Sequence, residues 1–313
     1  NAFSDLQLLC SNNIKNIPGK TTYTQMLNTK GGIEADLTVT CINLNLFRVV
    51  TGSAVREHDK KHISRYLSTD TIIKDVTDEL VCFGVFGPKS RDLLTEVFGN
   101  HFLAKEFLFG TAKEIKFKEL SLWFQRLSYI GELGWEIYIP INKANFLFKK
   151  IMKLGKRYNI SYSGMHALDI LRLEKKFLHW GHDITSENNP FEAGLSFAVN
   201  FKKNENFIGR SMLEKIKDKP TSKNLELFSL KNNFKPGKPL ILHDEPIFFK
   251  DKIIGNTTSS NYSFCYNKNL CLGYIDSHYK DNDNLSLEVE GKKYMLNLEQ
   301  SALHDPKSIL LRN

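Results

Sequence analysis

Apolar and polar residues alternate along Ile33-Glu34-Ala35-Asp36-Leu37-Thr38-Val39-Thr40. A period of two marks a strand with one covered face, because successive side chains leave a pleated backbone on opposite sides. Ile33, Ala35, Leu37 and Val39 share one face, and Glu34, Asp36, Thr38 and Thr40 share the other. Gly31-Gly32 precedes the run, and glycine permits the positive φ of a tight turn. Thr21 to Leu27 alternates before the turn and Leu46 to Thr51 follows, so the spacing predicts a β-meander. Carboxylates on such a face are either solvated edge-strand groups or groups aimed into a cavity. The pattern alone leaves both open.

The same reading extends along the chain. Ala2 to Leu9 and Val55 to Leu67 are expected helices, and Thr71 to Val76 a short strand. Near Thr77 the pattern restarts, with a strand over Leu80 to Phe86, a break at Gly87-Pro88 and a helix over Ser90 to Phe98. Leu122 to Ile130 and Trp135 to Ile139 are expected strands around the turn Gly131-Glu132-Leu133-Gly134. Lys143 to Leu154 has the periodicity of an amphipathic helix burying Leu147, Phe148, Ile151 and Met152. Ser163 is placed to cap a helix over Gly164 to Lys175, and Asp218 to Asn224 reads as a linker. Beyond it, short strands at Leu225 to Leu230, Pro246 to Phe249, Leu272 to Ile275, Leu285 to Val289 and Lys293 to Leu298 predict a small barrel or jelly-roll-like sandwich.

Composition narrows the function classes. With 313 residues, the chain is long enough for two or three domains around a large core. No run approaches about 18 apolar residues, so no membrane span is expected. The five cysteines form no C-x-x-C pair and fit the reduced thiols of a cytoplasmic protein. The net charge of +8 comes with spread lysines and no nucleic-acid motif, so the lysines are either solvated surface or a mild attraction for polyanionic ligands, and no nucleic acid is expected as a partner. Neither a G-x-G-x-x-G turn nor a phosphate-binding loop is present. His179 and His182 flank Gly181 without a further ligand at matching spacing, so no metal site is expected. Asp36 and Glu132 each follow a glycine turn, where a half-buried carboxylate can accept the paired N–H donors of a pteridine- or guanine-like ring.

Several runs carry a resemblance. YTQMLNTKGGIEADLTVT (23–40), FGVFGPKSRDLL (83–94), SYIGELGWEIY (128–138), GMHALDILRLEKKFLHWGHD (164–183) and PFEAGLSF (190–197) resemble the folate-binding aminomethyltransferase family, which includes the glycine cleavage T-protein. LHDEPIFFKDKII (242–254) and LGYI (272–275) extend the likeness, which is greatest to the C-terminal folate domain of dimethylglycine and sarcosine dehydrogenases. The resemblance implies an α+β cloverleaf of three domains around a central folate channel. Residues 1–76 with 163–222 would form the central α+β domain, 77–162 a second α+β domain, and 223–313 a C-terminal β-barrel. It implies tetrahydrofolate as the bound cosubstrate. Asp36 matches the family's catalytic carboxylate, and Glu132 the acid that grips the pteridine. Tyr23, Val50 and Tyr129 match the pocket lining, and Arg172 sits in a matching helix motif.

The reaction implied is capture of an iminium or formaldehyde unit, derived from a methylated amine, as 5,10-methylenetetrahydrofolate. The resemblance also sets Asn1 inside the family's first domain. The first piece of that domain, and an upstream flavin domain or subunit carrying FAD, are then expected outside these residues. Leu168 stands where T-proteins usually carry arginine, which favours the dehydrogenase-type branch over a glycine cleavage protein. The alternatives are a stand-alone aminomethyltransferase or folate-dependent demethylase, and a non-catalytic folate-binding regulatory protein.

Overall fold

The alternating run becomes the middle strand of a three-stranded antiparallel sheet in the computed structural model, which describes residues 1–313. Helix α1 (Ala2–Leu9) precedes β1 (Thr21–Leu27), β2 (Ile33–Asn43) and β3 (Leu46–Val50), and α2 (Arg56–Ser64) follows. Ala35, Leu37 and Val39 pack with Leu6, Leu9, Met26 and Ile63, so the apolar face is closed by the two helices. The polar face is left for other contacts. The turn before β2 needs both glycines. Gly31 has φ +84, and a Cβ on Gly32 would meet the Ser186 carbonyl oxygen at 1.8 Å.

Two local expectations fail here. Helix α2 starts after a short 3₁₀ turn (Ser53–Val55) and stops at Ser64. Thr71 to Val76 is irregular rather than a strand. No strand lies beside it to supply ladder bonds, and Arg56 instead grips Asp75 and Asp78 at 2.6 and 2.8 Å.

The second unit holds β4 (Leu80–Phe86), α3 (Ser90–Phe98), β5 (Ala112–Phe117), β6 (Leu120–Gln125), β7 (Gly134–Pro140) and α4 (Ile141–Gly155). Its strands run in the order β4-β7-β6-β5, with α3 and α4 over a core of Phe102, Phe124, Trp135, Leu147 and Ile151. Of the four positions expected to be buried on α4, Phe148 is 37 % exposed and Met152 is half-buried. Phe148 instead stacks at the rim on Tyr162 and packs at a tilt against Phe83. Strand β6 ends at Gln125, short of Ile130, because Arg126 turns its N–H to Thr111 and its guanidinium to the Phe107 carbonyl. The first sheet's polar face meets this unit. Gln125 accepts from Thr40 at 3.2 Å, and Arg48 lies over the rings of Trp123 and Tyr138.

Helix α5 (Met165–Glu174) is capped by Gly164, and Ser163 makes no capping hydrogen bond. After α6 (Arg210–Ile216), strand β8 (Lys223–Leu230) starts inside the expected linker. It joins β9 (Pro246–Phe249), β10 (Lys252–Ser263), β11 (Lys268–Asp276), β12 (Leu285–Val289) and β13 (Lys292–Glu299) in a closed barrel, and α7 (Ile309–Arg312) ends the chain. The barrel form thus prevails over the sandwich. Strand β10 is polar and carries a bulge between Ile253 and Gly255, which hid it from periodicity.

Helix α5 joins the barrel to the first sheet. Leu173 packs among Leu27, Ile33, Leu225, Leu227 and Leu272. Beside it, Arg172 is 2 % exposed and donates to Asp169 (2.7 Å), Asp183 (2.6 Å), Ser259 (2.7 Å) and the Phe177 carbonyl (3.1 Å). Replacing Arg172 by Met leaves Asp183 buried without its counter-charge, a loss of about 3–5 kcal/mol. The expected result is a large fall in melting temperature by scanning calorimetry. An unchanged melting temperature would mean that the junction does not need this pair.

Candidate functional site

The ladder register builds the site. Thr38 of β2 faces Tyr23 on one side and Val50 on the other, and Asp36 faces Gln25. Residues opposite each other in an antiparallel ladder point to the same face. Tyr23, Thr38 and Val50 therefore form one row, with Gln25 and Asp36 in the next. The Gln25 amide donates to Asp36 Oδ1 at 2.8 Å, while Gln25 Oε1 is buried with no partner. Burial pushes the Asp36 carboxyl up to about 6, against the Tyr23 hydroxyl and the Gln25 amide, and the nearby Asp59 adds to the rise. Burial likewise raises the Tyr23 hydroxyl, and Asp36 reinforces the shift.

Glu34 shares this face but has other partners. Its Oε1 accepts from the Asn28 amide at 3.1 Å, and its Oε2 lies 3.3 Å from His58 Nε2. It is tied to the turn and to α2.

Aromatic rings border the patch. The Tyr23 ring stacks on Phe197 with centroids 6.0 Å apart, and Phe197 is 71 % exposed. Beside them opens a cleft of about 380 Å³ lined by Asn12, Lys15, Tyr23, Phe197 and Asn200. Tyr129 donates to the Leu178 carbonyl at 2.9 Å. Burial raises its hydroxyl most; Arg172 opposes the rise, and Asp183 and Asp36 add to it. Tyr129 thus stands between the sheet face and the α5 junction.

Glu132 has its contacts outside the sheet patch. It sits on the turn before β7, with Oε1 2.8 Å from Nε2 of His304. A Cβ on Gly131 would meet the Lys175 side chain at 2.6 Å, and Gly131 has φ +80, so this turn is also closed to other residues.

The structure therefore brings Tyr23, Asp36 and Val50 onto one surface, with Tyr129 facing it. Arg172 has its donors engaged by Asp169, Asp183, Ser259 and the Phe177 carbonyl, the geometry of a structural tie. Gln25, Thr38, Phe197 and His304 escaped the sequence reading. Gln25 and Thr38 carried a signal, since they share the polar face with Tyr23 and Asp36. His304 carried none, because it reaches Glu132 from the far end of the chain. The rings of His179 and His182 lie 4.5 Å apart, and no group of three or more His, Cys, Asp or Glu is arranged to hold a metal ion. No helix is long and apolar enough to cross a membrane.

This arrangement belongs to a known class. Residues 1–203 match the model of the GCVT N-terminal domain, and residues 226–305 that of the glycine cleavage T-protein C-terminal barrel domain. The chain belongs to the glycine cleavage T-protein family of aminomethyltransferases. It is 32% identical over 302 residues to the mitochondrial dimethylglycine dehydrogenase of Rattus norvegicus, covering 95% of this chain and 35% of that protein. It is 30% identical over 275 residues to an aminomethyltransferase of Halothermothrix orenii, covering 88% of this chain and 75% of that protein. The crystal structure of the glycine cleavage system aminomethyltransferase T from Bartonella henselae has the same fold. It matches with a TM-score of 0.84 at 24% identity, over 97% of this chain and 82% of that one. The chain spans about a third of the length of the dimethylglycine dehydrogenase it matches.

Asp36 gives a pH test of stability. Its folded value, about 6, lies above the ordinary 3.8, so charging it costs free energy in the folded chain. That cost is absent below pH 3.8, grows between the two values and is complete above about 6. Asp36→Asn should therefore be more stable than the wild type at pH 7–8, by about 1–3 kcal/mol, with the gap closing toward pH 4. Melting temperatures across that range are the measurement. A constant difference at every pH would contradict the burial of a charged Asp36.

Proposed function

We propose that the chain binds a reduced folate across the polar sheet face and promotes one-carbon transfer to it, with Asp36 as the catalytic carboxylate. The observation that carries the reading is the row Tyr23–Thr38–Val50 beside Asp36, whose carboxyl is pushed up to about 6. Such a value suits a group that exchanges a proton near neutral pH. The residues fit a folate. Gln25 Oε1 is a buried acceptor in need of a donor, and Tyr23 and Phe197 offer flat apolar faces. Glu132 offers a carboxylate suited to the paired N–H donors of a pteridine. Lys15 and Asn200 in the adjoining cleft suit an anionic glutamyl tail.

Tetrahydrofolate supplies the nitrogens that take up the one-carbon unit. Asp36 accepts a proton from a folate N–H and fixes the orientation of that nitrogen. The sheet face and the rings hold amine and electrophile together, which lowers the barrier by roughly 7–11 kcal/mol in favourable cases. In the favoured version the unit is an iminium or formaldehyde from N-methyl oxidation at a flavin site carried by an upstream domain or a separate subunit. The likeness to dimethylglycine dehydrogenase supports that version, and the likeness to the aminomethyltransferase supports direct aminomethyl transfer as the second reading.

Titration calorimetry with 5-formyltetrahydrofolate tests binding. Absence of heat from a folded sample at millimolar ligand overturns the reading. The rate of 5,10-methylenetetrahydrofolate formation from formaldehyde and tetrahydrofolate, measured above the uncatalysed condensation, tests the chemistry. Asp36→Asn should keep most of the affinity and lose roughly 10²–10⁴-fold in that rate. Equal rates for Asp36→Asn and wild type would reduce the chain to a binding module.

A further inference from the structure

We infer that His304 is a positioning residue for Glu132: it holds that carboxylate ready for the adjacent N–H donors of a fused heterocycle such as the pteridine of a reduced folate. The inference rests on the folate reading above and adds a residue from the opposite end of the chain.

The segment between β13 and α7 runs as a strap beneath the Gly131–Gly134 turn. Its backbone is pinned on several sides. The Leu303 carbonyl accepts from the Tyr266 hydroxyl at 3.0 Å, and the His304 N–H donates to the Glu174 carbonyl at 3.0 Å. Asp305 Oδ2 lies 3.2 Å from Lys175 Nζ, with both side chains almost wholly buried. Asp305 also accepts from the N–H of Ile309 at 2.7 Å, so its carboxylate is fixed from both sides.

Two consecutive strap residues then act on two consecutive turn residues. Asp305 holds Lys175, whose side chain packs against Gly131 and fills the space a Cβ would need. His304 sets its Nε2 2.8 Å from Glu132 Oε1. Both side chains are only about a fifth exposed, at 22% and 23%. Lys175 is committed to Asp305, and His304 is the one basic group within ion-pair distance of Glu132. The imidazole Nε2 is buried and makes no aligned hydrogen bond, so the contact restrains Glu132 without saturating it. A carboxylate has room for about four hydrogen bonds, so Glu132 can keep His304 and still accept a ligand's donor pair. Glutamate has more rotamers to freeze than most side chains, and a partner that freezes them in advance saves that loss on binding.

The test is titration calorimetry with 5-formyltetrahydrofolate on His304→Phe, which keeps a ring in place but removes the basic nitrogen that faces Glu132. Affinity should fall roughly three- to fivefold. His304→Gln, which restores an N–H donor, should recover to within about twofold of wild type on the same scale. In a Glu132→Gln background, His304→Phe should have no further effect. The saturated rate of 5,10-methylenetetrahydrofolate formation should not change, because the loss lies in KM. Circular dichroism checks that each variant is folded, and His304→Gln carries the test if His304→Phe is not. Wild-type affinity in His304→Phe, or an equal loss with and without Glu132, overturns this inference alone. A folded wild type that binds no folate overturns the folate reading and this inference with it.

Discussion

The buried pair Arg172–Asp183 is the constraint on which the arrangement of the chain depends. Three separate stretches end at it: helix α5 through Arg172 and Asp169, the 177–183 loop through Asp183, and barrel strand β10 through Thr258 and Ser259. A charged pair this deep is weak support for stability in itself, because desolvation offsets much of its attraction. Its effect is on registry. Hydrophobic contacts such as Leu173 on Leu225 and Leu272 have no direction and tolerate sliding, whereas the Arg172 donors accept one geometry. Lys203 does the same at the other side of the first sheet. It donates to the carbonyls of Gln7 and Cys10 at 2.5 and 2.6 Å, and burial pushes its ammonium down to about 8.

With the helices and barrel fixed, the first sheet can leave one face polar. Its apolar face is fully used against α1 and α2, and its polar face meets Gln125 and the Trp123 and Tyr138 rings around Arg48. Polar groups on such a face must find partners or lose free energy. Most do: Thr21 with Thr40, Thr40 with Gln125, Gln25 with Asp36. The exceptions, Gln25 Oε1 and Arg48 Nη1, lie on this face, as expected if it is the proposed ligand-binding surface.

The alternation that predicts β2 also fixes which side each residue takes, so the row of Tyr23, Thr38 and Val50 was within reach of the pattern once the meander was recognised. Strands with an apolar period were legible. Strand β10 was not, because Asn256 to Ser260 is polar throughout and its register is interrupted twice, between Ile253 and Gly255 and between Thr257 and Ser259. Thr71 to Val76 has strand-like residues but no neighbour, and a strand without a neighbour is not a strand. Arg172 shows the opposite limit. Its place in a helix motif was visible, but the use of its donors depends on Asp183 and Ser259, which only the fold brings near. His304 is the extreme case, since nothing around it in the sequence points to Glu132.

Glu34 and Asp36 show how partners, rather than position, assign roles. They lie on one face of one strand, roughly 6.5–7 Å apart. Glu34 is the longer side chain and sits nearer the turn, where Asn28 and His58 occupy both its oxygens. Both oxygens are thereby committed to the turn and to α2. Asp36 is shorter, and its neighbours are the Gln25 amide and the Tyr23 hydroxyl on the sheet face. The Asp59 carboxylate nearby opposes its ionisation further. A carboxylate whose ionisation is opposed by burial is costly to the fold, and such a cost is tolerated where the group serves something that arrives later. By that measure the strand commits Glu34 to structure and leaves Asp36 available for the proposed chemistry, and a single dipeptide step decides between them.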